Sequence, residues 1–248
     1  MIFIENLWKS FGQQEVLRGV SLHVEPGVFT ALIGMSGSGK SLLLKHLVGL
    51  IEPDRGSVII DGKNLSQLSR TELEELRSRI GFVFQSGALF DSMTIFDNVA
   101  FPLREKTKLS ESEIQKKVMD ELAQVGLAEA CEKYPAQISG GMIKRVALAR
   151  TLVQSPEIIL FDEPTTGLDP IVSRSILQLF NEVHQRRNLT GILVSHEIPD
   201  IFDIVQQIAM LHEGIIIASG ATEEIRASSD PIIQQFVNGN PEGPIRYR

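Results

Sequence analysis

Gly34-Met35-Ser36-Gly37-Ser38-Gly39-Lys40-Ser41 satisfies the phosphate-binding-loop pattern G-x-x-x-x-G-K-[S/T], with an extra glycine at Gly37. The apolar run before it, Val28 to Ile33, reads as a buried strand, and Ser41 to Leu47 reads as a helix. Strand, loop and helix are the context in which this pattern binds a nucleotide triphosphate. The glycines let successive backbone N–H groups point into one anion-sized hollow at a helix N-terminus, where the dipole also favours negative charge. Gly34, Ser36, Gly37, Ser38 and Gly39 therefore form the cradle, Lys40 reaches the β- and γ-phosphates, and Ser41 holds Mg²⁺.

Pro156 to Pro164 decides the kind of nucleotide protein, because it places Asp162 and Glu163 at the end of an apolar strand, and buried acids need a reason. Neighbouring strand side chains face opposite ways. Asp162 is thus expected on the Mg²⁺ shell and Glu163 on an attacking water. That is a hydrolase arrangement, since a nucleotide kinase takes its nucleophile from a second substrate.

Ile138-Ser139-Gly140-Gly141-Met142 precedes a stretch, Ile143 to Leu152, with apolar residues at helical spacing. Ser139 is a natural N-cap, and the two glycines leave backbone donors bare. This is a second anion-binding helix end in a chain whose first loop already cradles a triphosphate. A head-to-tail dimer follows, each nucleotide clamped between the loop of one subunit and the Ser139 helix of the other.

These motifs, in this order, resemble the ATPase subunit of ABC transporters over nearly the whole chain. The resemblance implies a P-loop NTPase (RecA-like) α/β core with an N-terminal antiparallel β lobe and a helical subdomain. It implies ATP and Mg²⁺ as ligands. It makes Gln85, after the strand Ile80 to Phe84, the glutamine that senses Mg²⁺ and water. Ser139, Gly140 and Gly141 match the signature, Gly167 to Pro170 with Asp169 the D-loop, His196 the switch histidine, and Phe11 the aromatic position that stacks on adenine. His23, His46, His184 and His212 read as structural.

The segments Phe84 to Phe90 and Phe96 to Glu105, Met142 in place of the usual signature glutamine, and Asp230 to Gly239 are similar to the ATPases of Mla/Mce-type phospholipid transporters. Met142 removes an amide that could contact the nucleotide sugar across the dimer. The branch implies a homodimer, an integral membrane permease, a periplasmic lipid-binding Mce-type protein and a small accessory subunit as partners. Its members sit peripherally on the cytoplasmic face of the inner membrane. Two other readings keep much of the chemistry: an importer ATPase for amino acids or another small solute, and a soluble ABC ATPase with no permease.

Composition fits. The chain has 248 residues, a formal net charge of −7 and one cysteine, Cys131. The acidic balance argues against nucleic acid as a partner, and a lone cysteine excludes an internal disulfide and suits a reducing compartment. No run approaches the roughly 18 apolar residues of a membrane span, and Met1 to Glu5 carries no basic leader. The expected organisation is a core with β lobe over 1–90, a helical subdomain over 91–155 opened in part by the capping box Ser110-x-x-Glu113, the core again over 156–222, and an extension over 223–248. The tail from Asn240 is turn-rich and is expected to be disordered. Leu89, Phe90, Met93, Phe96 and Phe101 crowd one connection; half or more should be core, and by resemblance the rest should line a groove for a permease helix.

Overall fold

The computed structural model describes residues 1–196, 198 and 200–246; Tyr247 and Arg248 of the tail lie outside the described residues. Strands β1 (Ile2–Phe11) and β2 (Gln14–Val24) open the chain, and β3 (Phe29–Ile33) runs into the glycine-rich loop and α1 (Lys40–Leu47). After β4 (Arg55–Ile60), β5 (Lys63–Asn64) and α2 (Arg70–Ser78), strand β6 (Ile80–Val83) leads to α3 (Ile95–Lys106), α4 (Glu111–Gln124) and α5 (Gly140–Leu152). The chain continues through β7 (Ile158–Asp162), α6 (Pro170–Arg187), β8 (Thr190–Val194), β9 (Gln207–His212), β10 (Ile215–Ala221), α7 (Thr222–Arg226) and α8 (Pro231–Asn238).

Among the described residues, the strands form two sheets: an antiparallel one in the order β2-β1-β4-β5 and a second in the order β10-β9-β3-β8-β7-β6. The second is parallel except where β10 returns against β9. This is the expected α/β nucleotide-binding core with a β lobe. Every residue of β3 and β8 is buried, which is why both strands read as unbroken rather than alternating apolar runs.

The pleat divides these side chains between two cores. Phe29, Ala31 and Ile33, with Ile159 and Phe161 of β7, face the larger cluster packed against α3 to α6. Leu32, Ile158 and Leu160 face the other way, into a cluster shared with α1 and the β lobe. Helix starts follow local chemistry. Ser69 and Ser110 open α2 and α4 through reciprocal capping boxes with Glu72 and Glu113, as the Ser110 spacing predicts, and Thr94 caps α3. No helix among the described residues is long and apolar enough to cross a membrane.

Candidate nucleotide site

The chain leaves β3 at Gly34 with φ +149°, and a Cβ there would lie 2.2 Å from the Leu211 carbonyl oxygen, so only glycine fits. The loop ends at Gly39, which begins α1 without any side-chain cap. The first N–H groups of α1 are therefore open to an anion. Lys40 is 3% exposed and its ammonium turns back to donate to the carbonyls of Gly34 (2.9 Å) and Met35 (2.8 Å), holding the hollow open. Burial pushes the Lys40 pKa down, opposed by Glu163 and then Asp162; an arriving phosphate would oppose it further. The Ser38 hydroxyl is buried with no partner among the described residues. A buried orphan donor of this kind fits a bound phosphate oxygen.

The acidic end of β7 meets this loop. Ser41 Oγ donates to Asp162 Oδ1 at 2.6 Å, a hydroxyl and a carboxylate converging as hard oxygen ligands, which suits Mg²⁺. Glu163 Oε1 lies 3.9 Å from Lys40 Nζ. Its Oε2 lies 3.7 Å from His196 Nδ1 and accepts from Gln85 Nε2 at 3.4 Å and Thr166 Oγ1 at 3.2 Å. The two acids do serve different partners, but strand alternation is not the device. β7 ends at Asp162, and Glu163 stands in the left-handed region at φ +45°. This backbone turn swings its carboxylate over the loop, and Glu163 N–H is held by the Val194 carbonyl at 3.1 Å. Thr166 is invisible to the sequence, because one threonine in a Pro-Thr-Thr-Gly turn carries no signal of its own.

Lys40, Ser41, Gln85, Asp162, Glu163 and His196 thus come together. A cavity of about 980 Å³ is lined by Gly34, Ser36, Gln85, Glu163, Thr166 and His196 on one side. Ser139, Gly140 and Gly141 are not among its lining residues. Ser139 caps α5 by accepting from Met142 N–H, and the two glycines lie against Leu168 and Val172 of the D-loop region. Asp169 spends its carboxylate capping α6 through the N–H groups of Ile171 and Val172. Phe11 is 53% exposed, with the Lys9 ammonium 5.8 Å from its ring centre, and is free to meet a planar ligand. His46 and His184 are buried on backbone carbonyls of Leu42 and Gly27.

The tail departs from expectation: as far as Arg246 it is folded, not disordered. Gln235, 4% exposed, grips the Ile245 peptide, its amide oxygen accepting from Ile245 N–H at 2.7 Å and its NH₂ donating to Ile245 O at 3.2 Å. Phe236, Val237 and Ile245 complete the wall of the large cavity, and Pro244, Ile245 and Arg246 line a second one of about 330 Å³ beside Ser36, Gly37 and Ser38. Turn-rich composition underestimates the order because one buried glutamine supplies what a sheet ladder would.

Comparison with known proteins agrees with this geometry. The ABC transporter family model matches residues 17–166. The chain is 44% identical over 244 residues to the Mycobacterium tuberculosis protein named "Probable ribonucleotide transport ATP-binding protein mkl", covering 98% of this chain and 68% of that one. It is 40% identical over 248 residues to the Haemophilus influenzae "Intermembrane phospholipid transport system ATP-binding protein MlaF", covering 100% and 94% of the two chains. The Escherichia coli protein of that name is 40% identical over 237 residues, 96% and 88%. Among solved structures, a dimeric ATP-binding cassette in a post-hydrolysis state with ADP and Pi superposes with a TM-score of 0.81 at 33% identity, covering 90% of this chain and 99% of that one. A Clostridium perfringens subunit of an ABC transporter complex gives 0.84 at 31% identity, covering 97% and 95%. The chain belongs to the ABC transporter family, as one of its ATP-hydrolysing cassettes.

Proposed function

We propose that this ATPase works as a homodimer and powers phospholipid transport between membranes through a separate, membrane-integral permease. The observation that carries the cargo assignment is identity at 40% along all 248 residues with a phospholipid-transport ATPase whose own length is 94% covered. The mycobacterial relatives, named for ribonucleotides, extend well beyond this chain, which spans 68% of them.

In the proposed site Phe11 stacks on adenine, and Lys40 with the amides of the Gly34 to Ser41 loop holds the phosphates. Ser41, Asp162 and Gln85 would hold Mg²⁺, which when bound neutralises charge building on the β- and γ-phosphate oxygens. Glu163 takes a proton from the water that attacks the γ-phosphorus, while the bond to the bridging oxygen breaks. His196 steadies the γ-phosphate. Ser139, Gly140 and Gly141 of the second subunit, with its Asp169 segment, close over the same nucleotide. A mixing experiment tests this composite site. Lys40→Ala and Ser139→Arg subunits, each inactive alone, form heterodimers with one doubly damaged and one intact site, so partial ATPase is expected to return. No recovery at any ratio, with heterodimers shown to form and a single intact site shown able to turn over, rules the arrangement out.

Attachment to the permease is assigned to the connection after Gln85. Leu89 and Phe96 pack against the large core, whereas Phe90 is 43% exposed, its ring 4.9 Å from that of Phe101. The fully buried Asn98 fixes this stretch, accepting from Phe90 N–H and donating to the carbonyls of Phe90, Met93 and Thr94. An exposed ring on a rigid turn suits a helix-in-groove contact. Phe90→Glu is expected to leave the isolated subunit folded and ATP-binding but to abolish co-purification of the membrane subunit. Retained co-purification and transport refutes the groove. Phospholipid in the wild-type complex supports the cargo; a complex carrying only a water-soluble solute, or no membrane subunit, points to an importer or a free-standing ATPase.

A further inference from the structure

Helix α5 carries two cations, Lys144 buried and Arg150 half-buried, that the proposed chemistry does not use. Lys144 is 6% exposed, and its ammonium donates to the backbone carbonyl of Gln85. Burial pushes its pKa down, and no carboxylate among the described residues offsets this. A buried ammonium without a counter-charge is an expensive way to fill space that a methionine could fill. Six residues further along, Arg150 donates to the carbonyls of Gly87 and Ala88, both at 2.7 Å. The loop is shaped for this approach. Gly87 and Ala88 both have positive φ, +78° and +47°, and a Cβ on Gly87 would stand 2.9 Å from Ile143 Cγ2 of the same helix. Three carbonyls within four residues are thereby turned onto α5. The side chain of Gln85 is left exposed, within 3.4 Å of Glu163.

We infer that Lys144, braced by Arg150, is a positioning residue that ties the 85–88 loop to α5, so that a phosphate engaging the Ser139 end of α5 resets Gln85 in the other nucleotide site. This rests on the roles proposed above for Gln85 and Ser139. The ammonium holds the carbonyl of the residue whose side chain must reach metal and water, so only one Cα separates the strut from the working amide. A displacement of α5 along its axis pulls on three loop carbonyls at once, and the loop follows as a body.

The test uses the full chain with Mg²⁺-ATP in a double-mutant cycle of Lys144→Met and Gln85→Ala. Lys144→Met is expected to leave ATP affinity by calorimetry within about twofold while kcat falls about tenfold, the scale of a catalytic group shifted by a fraction of an ångström. Lys144→Arg, which keeps a cationic donor, is expected to restore kcat to within about threefold. In the Gln85→Ala background, Lys144→Met should add less than about twofold, because both lesions act through one group. Wild-type turnover in Lys144→Met beside an impaired Gln85→Ala, or losses that multiply in the double variant, overturns the strut alone. Unimpaired turnover in Gln85→Ala overturns the role of Gln85 and the strut with it. If Lys144→Met fails to fold by circular dichroism, Lys144→Gln takes its place in the cycle, where the same losses support the strut and the same patterns overturn it.

Discussion

Glu163→Gln is expected to bind ATP as the parent does and to hydrolyse it slower by a factor on the order of 10² or more, the usual contribution of a positioned acid or base. The substitution keeps the side chain's volume and one oxygen to accept from Thr166 and Gln85, whose donors lie 3.2 and 3.4 Å from Oε2. What it removes is the basic oxygen able to take a proton from water. The carboxylate also lies 3.9 Å from Lys40 Nζ, so its neutralisation relieves competition for that ammonium and leaves the phosphates at least as well held. Single-turnover hydrolysis beside calorimetric ATP binding gives the split directly. Turnover near the parent value in the assembled complex would dismiss Glu163 as the base.

Phe161→Ala should do the reverse, costing about 3–5 kcal/mol of folding stability, as truncation of a buried aromatic does. Phe161 is 1% exposed, stacks on Phe180 with ring centres 4.2 Å apart and meets Phe29 at 5.9 Å. It therefore joins β7, α6 and β3 at the point where β7 delivers Asp162. Because interiors are close-packed, the cavity would be only partly filled by relaxation. Denaturant unfolding followed by circular dichroism measures the loss, provided the midpoint moves without a change in slope. A loss under about 1 kcal/mol would mean that the cluster repacks easily and does not anchor the site.

The amino-acid sequence alone determined the phosphate loop, the acid pair, the helix capped by Ser139 and the α/β architecture with a sheet covered on both faces. Each is written in contiguous residues: glycine spacing before Lys40, an apolar run ending in Asp162, Ser139 ahead of two glycines, and unbroken strands that only a doubly covered parallel sheet accommodates. Local chemistry of this kind survives without knowledge of distant neighbours. Tertiary structure alone decided how Glu163 is aimed, because its left-handed turn depends on the Val194 carbonyl that receives its N–H. It decided too that Lys144 and Arg150, two polar residues on a helix, turn inward onto the 85–88 loop rather than outward to water. Likewise the tail is ordered by Gln235 reaching ten residues along the chain to Ile245, and Asn98 spends its amide on the Phe90 turn. A long or amide side chain can satisfy its hydrogen bonds with solvent or with any carbonyl the fold brings near. Its partner is chosen by chain crossings that no local pattern records.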